Sequence, residues 1–239
     1  MSAISLQQDL SPSSPTLPKA APADPKAMSR FRRLAAKQAG LSSALLCEQQ
    51  ARLLGPQGCL SLFARQVAEQ GRQAPELNDV PELENRERQE QAERAVDFAL
   101  GFHLRRPYAE NPFGHQCRAF LCVAVYDEMA MYTLAERYAA SQALRQLDGE
   151  YFIKLIATTR DTVERRIVFH GLLEHFDALL PIERSIYPFN YREVQKQHLE
   201  REEALYGRLE LGAPIGTLLQ QHTPEWLLEN LPVLNRAAG

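Results

Sequence analysis

Beyond residue 28, apolar positions recur every three or four residues along most of the chain, the spacing that turns one side of an α-helix toward a core. Phe31, Leu34 and Ala35 share one such face, followed by Leu45, Leu46, Leu53 and Leu54, then by Leu60, Phe63, Ala64 and Val67. The Gly55–Pro56–Gln57–Gly58 run between the last two sets predicts a turn. Ala92, Ala95, Val96, Ala99 and Phe102 form the clearest stripe, supported by the i,i+4 pairs Glu84–Arg88 and Glu90–Arg94. That helix should end near Pro107, because proline holds the preceding residue out of the α region.

Ala119 to Tyr126 is the most apolar run in the chain. It continues to Met131 without Gly or Pro, which favours a buried helix over a buried strand. Thr133 and Glu136 have the spacing of a capping box, so a new helix is expected from Thr133 to Leu147. Asp148–Gly149 is expected to break the chain before Tyr151 to Thr158. Asp161 to Glu164 offers another cap, leading into a wide apolar face of Val168, Phe169, Leu172, Leu173, Phe176, Leu179 and Leu180. Asn190 is expected to cap a peripheral helix with a thin stripe of Tyr191, Val194, Leu205 and Leu209, and Thr223–Pro224–Glu225 starts a last one. The pattern specifies an all-α fold: a multi-helix bundle with a disordered Pro/Ser-rich N-terminal tail.

The expected organisation is a tail over 1–28, a small helical hairpin region over 29–71, a linker over 72–84 and a main bundle over 85–239. The tail carries prolines at 12, 15, 18, 22 and 25, each of which removes a backbone donor. Its P-x-x-P spacing fits an aromatic groove, and its Ser-rich, unstructured character suits a bacterial secretion-apparatus client, although a plain tether explains it as well. Within 29–71, the helices on either side of the Gly55–Gly58 turn also outline a DNA-reading helix–turn–helix, but the second helix offers only Arg65 as a basic contact.

Composition narrows the class. Across 239 residues, 45% are hydrophobic and 24% charged, with 27 Lys and Arg against 30 Asp and Glu, a net charge of −3. No global field draws the chain to nucleic acid or anionic lipid. Locally, residues 1–40 carry six basic and two acidic side chains, whereas 76–97 carry eight acids and three arginines, so these blocks are expected to attract one another. Cys47, Cys59, Cys117 and Cys122 form no C-x-x-C pair and read as buried thiols in a reducing compartment. Met1 to Leu10 lacks the layout of a secretory leader, and no run of apolar residues reaches membrane-spanning length, so a cytoplasmic address without membrane insertion is expected.

Nucleotide-binding glycine loops, the G-x-S-x-G elbow, H-E-x-x-H and Glu-x-x-His pairs are all missing. The best remaining constellation is His170, Glu174 and Asp177, whose spacings place three proton carriers or metal ligands along one helix stripe, opposite the apolar face. A solvated helix face is the plainer explanation, since His, Glu and Asp are common on exposed faces, and no cofactor is implied. Asp127 and Glu128 end an apolar run and are expected to pair with Arg137, Arg165 or Arg166. Arg160, Arg165 and Arg166 are expected to pair with the interleaved Asp161 and Glu164. Trp226, Leu227, Leu231 and Leu234 form an apolar end that either folds back or docks a partner.

Three functional expectations follow. The first is a non-enzymatic helical adaptor or regulator that engages another protein. The second is a DNA-associated regulator in which Arg30, Arg32, Arg33 and Lys37, within 26–71, meet phosphates. The third is a metal-binding or acid–base enzyme using the His170/Glu174 stripe.

Overall fold

The computed structural model describes residues 24–78, 85–158 and 165–230. Expectations for the tail before residue 24, for 79–84, for Arg160, Asp161 and Glu164, and for Leu231 and Leu234 lie outside the described residues. Among the described residues the fold is all-α, without strands, and no helix is long and apolar enough to cross a membrane.

The helices are α1 (Pro25–Ala39), α2 (Ser43–Leu54), α3 (Cys59–Gln70), α4 (Arg86–Phe102), α5 (Arg118–Tyr126) and α6 (Leu134–Ala157), then α7 (Arg165–Ala178), α8 (Pro181–Arg184), α9 (Tyr191–Tyr206), α10 (Ile215–Gln221) and α11 (Pro224–Asn230). The first helix starts inside the expected tail, because the Asp24 carboxylate accepts from the Lys26 amide and Pro25 takes the first turn.

Seven of the nine residues of α5 are buried, as a helix apolar on every side requires. It packs chiefly on α6 and α1. Around it a main core gathers Leu34, Leu46, Phe63, Val67, Phe98, Leu100, Phe113, Leu121 and Leu180. The hairpin region therefore shares its core with the bundle. The expected linker takes part too: residues 71–77 make two short 3₁₀ turns that seat Ala74 and Leu77, fully buried, in that core.

A second, smaller core holds Leu155, Ile167, Leu209, Ile215, Leu219 and Leu227. Helix α6 joins the two. At 24 residues it runs about 36 Å, with Ala135, Ala139, Ala140 and Ala143 against α4 and α5 at one end and Leu155 in the second core at the other. The expected break at Asp148–Gly149 does not occur. A mid-helix glycine costs only about 1 kcal/mol, and Asp148 is held by a tertiary ion pair to Arg118.

The other departures are smaller. Helix α4 stops at Phe102, short of Pro107. The Asn190 side chain makes no capping bond. Cys47 and Cys59 are exposed and Cys117 half-buried, so only Cys122 meets the buried expectation; all four are free thiols. Helix α7 buries Ile167 and Gly171 and packs on α9, α10 and α6; of its broad apolar face Val168, Phe169, Leu172, Leu173 and Phe176 are half-buried, while Leu179 and Leu180 just beyond it are buried.

Candidate functional site

Two places in the fold combine exposure or space with unusual local chemistry. The first is a cleft of about 170 Å³ between α2, α5, α6, α7 and α8, walled by Leu54, Val125, Leu144, Phe152, Leu179 and Ile186. Asp148, Glu183, Gln50, Tyr126 and His175 also face it, with Arg145 at its exposed edge.

Its charged groups are held by Arg118 at the start of α5. The guanidinium donates from Nε and Nη2 to the Asp148 carboxylate at 3.0 and 3.2 Å. It also donates from Nη2 and Nη1 to the Glu183 carboxylate at 2.7 and 3.3 Å, and from Nη1 to the Cys122 sulfur at 3.3 Å. All five N–H groups of Arg118 are thereby used. Glu183 further accepts the Leu180 amide at 2.8 Å, capping the short α8, and the Cys122 thiol from 3.7 Å. Burial works against the charge of Arg118, but the Glu183 and Asp148 carboxylates outweigh it and keep its pKa above the ordinary value. Burial, reinforced by Glu183, pushes the Cys122 thiol well up, so it is a protonated packing and donor group, not a nucleophile. His175 stacks on Tyr151 with ring centroids 5.5 Å apart and meets Phe152 edge-on; burial lowers its pKa.

The second place is the turn after α4. The amide of Leu104 donates to the Gly101 carbonyl at 3.0 Å and that of Arg105 to the Leu100 carbonyl at 2.8 Å, the paired bonds of a Schellman ending. The residue at the left-handed position of this motif is normally glycine. Here it is Leu104, at φ 58° and 91% exposed. The turn is fastened on several sides. Arg105 donates to the Ala68 and Glu69 carbonyls at the end of α3, Arg106 pairs with Asp97 at 2.6 Å, and the Tyr138 hydroxyl meets His103 Nε2 at 3.0 Å. A Cβ on Gly101 would come within 2.8 Å of the Pro107 carbonyl oxygen, so the returning chain lies directly on the helix. Phe102, Leu104 and Tyr108 are left facing water at 53%, 91% and 84% exposure.

The residues singled out from sequence are distributed as follows. Arg30, Arg32, Arg33 and Lys37 all sit exposed on α1, and none is in an ion pair with a described residue. The α4 acids instead meet other arginines: Arg72–Glu93 at 3.0 Å, Arg86–Glu90 at 3.0 Å and Arg106–Asp97. Arg88 goes to Glu136 rather than to an acid of its own helix. Arg65 donates to the Pro56 carbonyl at 3.3 Å, which ties down the one basic group of the supposed reading helix.

His170, Glu174 and Asp177 do not converge. His170 Nε2 lies 3.6 Å from Glu203, Glu174 accepts the Ile215 and Gly216 amides at 2.9 and 3.1 Å, and Asp177 pairs with Arg192 at 2.8 Å. Glu174 is therefore an N-terminal cap supplied to α10 from another helix. No group of three or more His, Cys, Asp or Glu among the described residues is arranged to hold a metal ion. Arg137 does not pair with Asp127 or Glu128; it donates to the carbonyls of Val125, Asp127, Ala130 and Tyr132 and closes the end of α5 as a cation should. Arg165 lies 3.5 Å from Glu202, and Arg166 donates to the Tyr206 and Gly207 carbonyls. His115 meets Glu110 at 3.2 Å on the surface. Leu227 is buried in the second core, so the apolar end folds back there, while Trp226 stacks on His222 at 3.5 Å and keeps 42% of its surface.

The sequence reading missed the Arg118, Asp148 and Glu183 cluster. These residues stand 30 and 35 positions apart and share no motif; the local signals are Glu183 in the third position of a Pro-initiated helix and an acid inside α6. No family model, curated protein or solved structure matches the chain.

Proposed function

We propose that the protein is a non-enzymatic helical adaptor that docks an apolar segment of another protein through Phe102, Leu104 and Tyr108. The observation carrying this reading is Leu104. A left-handed backbone costs an L-residue about 1–2 kcal/mol, and glycine at this position would avoid that cost without losing any packing, since the side chain is 91% exposed. Strain kept beside an exposed apolar side chain fits a surface selected for contact. The bonds from Arg105, Arg106 and Tyr138 hold the turn in place beforehand, which lowers the ordering cost of association.

The test is photocrosslinking in cells of the source organism, with p-benzoylphenylalanine at position 108 and a control at exposed position 220. A discrete adduct at 108 that disappears with Leu104→Gly supports the reading. No adduct, or the same adducts at 220, overturns it.

A second reading, association with nucleic acid, is supported by the exposed basic face of α1. Lys26, Arg30, Arg33 and Lys37 repeat at intervals of four, three and four, so they form one stripe. Retention on double-stranded DNA at low salt, falling steeply as salt rises and weakened by Arg30→Gln with Arg33→Gln, is expected on this reading. Elution unchanged by these substitutions removes it.

A further inference from the structure

Another pocket, of about 330 Å³, opens between α1, α2, α5, α6 and α8 at the start of α3. Its apolar walls are Leu34, Leu41, Leu53, Val125 and Ile182, and Gln38 lies among them at 5% exposure. Gln38 Oε1 accepts the Ile182 amide at 3.4 Å. Because only the oxygen can accept, this bond fixes which way the side-chain amide is turned. Its Nε2 has no partner among the described residues, and it is not one of the unpaired side-chain atoms sealed from solvent, which belong to Gln50, Glu76, His170 and Arg184. A donor on a nearly buried side chain thus stays open to the pocket, and it calls for an acceptor.

Two neighbours add N–H groups. Arg137 spends four of its five on the Tyr132, Val125, Asp127 and Ala130 carbonyls and keeps one on Nη1. Helix α3 begins at the pocket wall with Cys59, and Gly58 before it makes no side-chain cap, so no side chain answers the positive end of the helix dipole there. Charge then sets the class of ligand. Lys37, Arg52 and Arg137 face the pocket against Asp127 and Glu128, which leaves one positive charge in excess. Lys37 and Arg52 are exposed and form no ion pair with a described residue. Asp127 Oδ1 already accepts the Met129 amide at 3.1 Å. One negative charge balances this set, whereas a dianion would be repelled by the two acids. The volume lies at the lower end of the roughly 300–1,000 Å³ of small-molecule sites.

We infer that this pocket binds a small monocarboxylate. Its oxygens accept from Gln38 Nε2 and the spare N–H of Arg137, Lys37 and Arg52 attract it from the exposed edge, and its apolar stem lies along Leu34, Leu53 and Ile182. The site is separate from the Leu104 turn, and its failure leaves the adaptor reading untouched.

The probe is n-hexanoate, titrated into the full chain near neutral pH while methyl NMR shifts of Leu34, Leu53 and Ile182 are followed, with n-hexanol and n-hexylamine as the uncharged and cationic controls. Saturable shifts with hexanoate, at least tenfold weaker with either control, are expected. Gln38→Glu keeps an acceptor for the Ile182 amide but replaces the donor with a carboxylate oxygen, so hexanoate binding should fall at least tenfold. Lys37→Gln with Arg52→Gln alters only exposed side chains and should weaken hexanoate at least threefold, with a smaller salt dependence than the parent. This double variant keeps the test decisive if Gln38→Glu fails to fold. Equal binding of either control, no saturable shift with hexanoate, or unchanged affinity in either variant overturns the site. Tighter binding of dianionic n-hexylphosphonate than of hexanoate overturns the assignment to a monocarboxylate.

Discussion

The Tyr151 hydroxyl donates to the backbone carbonyl of Gly171 at 2.8 Å, across the packing of α6 on α7. The approach is so close that a Cβ on residue 171 would lie 2.5 Å from a Leu155 methyl carbon and 2.9 Å from the Tyr151 oxygen. Leu155 is 1% exposed and sits in the second core, so it has little room to withdraw.

Gly171→Ala should therefore destabilise the protein by about 1–3 kcal/mol, the usual cost of overpacking, although alanine is the better helix former. Urea denaturation checks this. A variant as stable as the parent would mean that the α6–α7 contact is looser than the structure gives.

Arg88 and Glu136 give a second case. Glu136 is fully buried, accepts both guanidinium nitrogens of Arg88, and also receives the Thr133 amide at 2.9 Å while its own amide reaches Thr133 Oγ1 at 3.2 Å. Arg88→Met leaves that carboxylate buried and unpaired and should cost about 3 kcal/mol, the low end for such pairs, because Arg88 keeps some contact with water. Glu136→Gln keeps the bond to Thr133 and should restore part of the loss in the double variant, giving a coupling energy above about 1 kcal/mol. Additive effects in the cycle would contradict the geometry.

This pair also marks what the sequence made legible. The Thr133–Glu136 box, the buried helix in the Ala119–Tyr126 run and the Thr223 cap on α11 are local features and each is present, although the helix ends at Tyr126 and does not continue to Met131. Helix spacing points Arg88 to Glu84, which lies outside the described residues, whereas the structure pairs Arg88 with the buried carboxylate of Glu136, 48 positions away. The Asp148–Gly149 break failed for the same kind of reason: tertiary contacts at both ends of α6 outweigh one unfavourable glycine. The stripe of His170, Glu174 and Asp177 was correctly spaced, but spacing says nothing about what stands opposite, and three different partners from α9 and α10 draw the side chains apart.

Acid should weaken the fold through two histidines. Burial lowers the pKa of both His103 and His175 below the ordinary 6.5; around His175, Asp148 and Glu183 oppose that effect and Arg118 adds to it. The unfolded chain then binds more protons than the folded one below about pH 6.5, so stability is complete above that value and falls as pH drops through the lowered pKa values. His175→Phe retains a ring on Tyr151 and should flatten the decline between pH 7 and 5. Parallel stability profiles for the parent and the variant would show that His175 stays as easily protonated in the fold as in the unfolded chain.

Leu104 makes the opposite kind of prediction, a gain. The α4 ending needs a left-handed residue at position 104, and the two Schellman bonds to Gly101 and Leu100 fix that requirement whatever the side chain. Glycine removes the steric cost of about 1–2 kcal/mol but gives back roughly 0.5–1 kcal/mol in unfolded-chain entropy, and no buried contact is lost from a side chain that is 91% exposed. The net expectation for Leu104→Gly is a stabilisation of up to about 1 kcal/mol, with Leu104→Ala near neutral because it keeps the Cβ. Thermal and urea denaturation of the three proteins decides it. If Leu104→Gly is the least stable, then the leucine makes apolar contacts that hold the turn, and its exposure loses its force as a sign of docking.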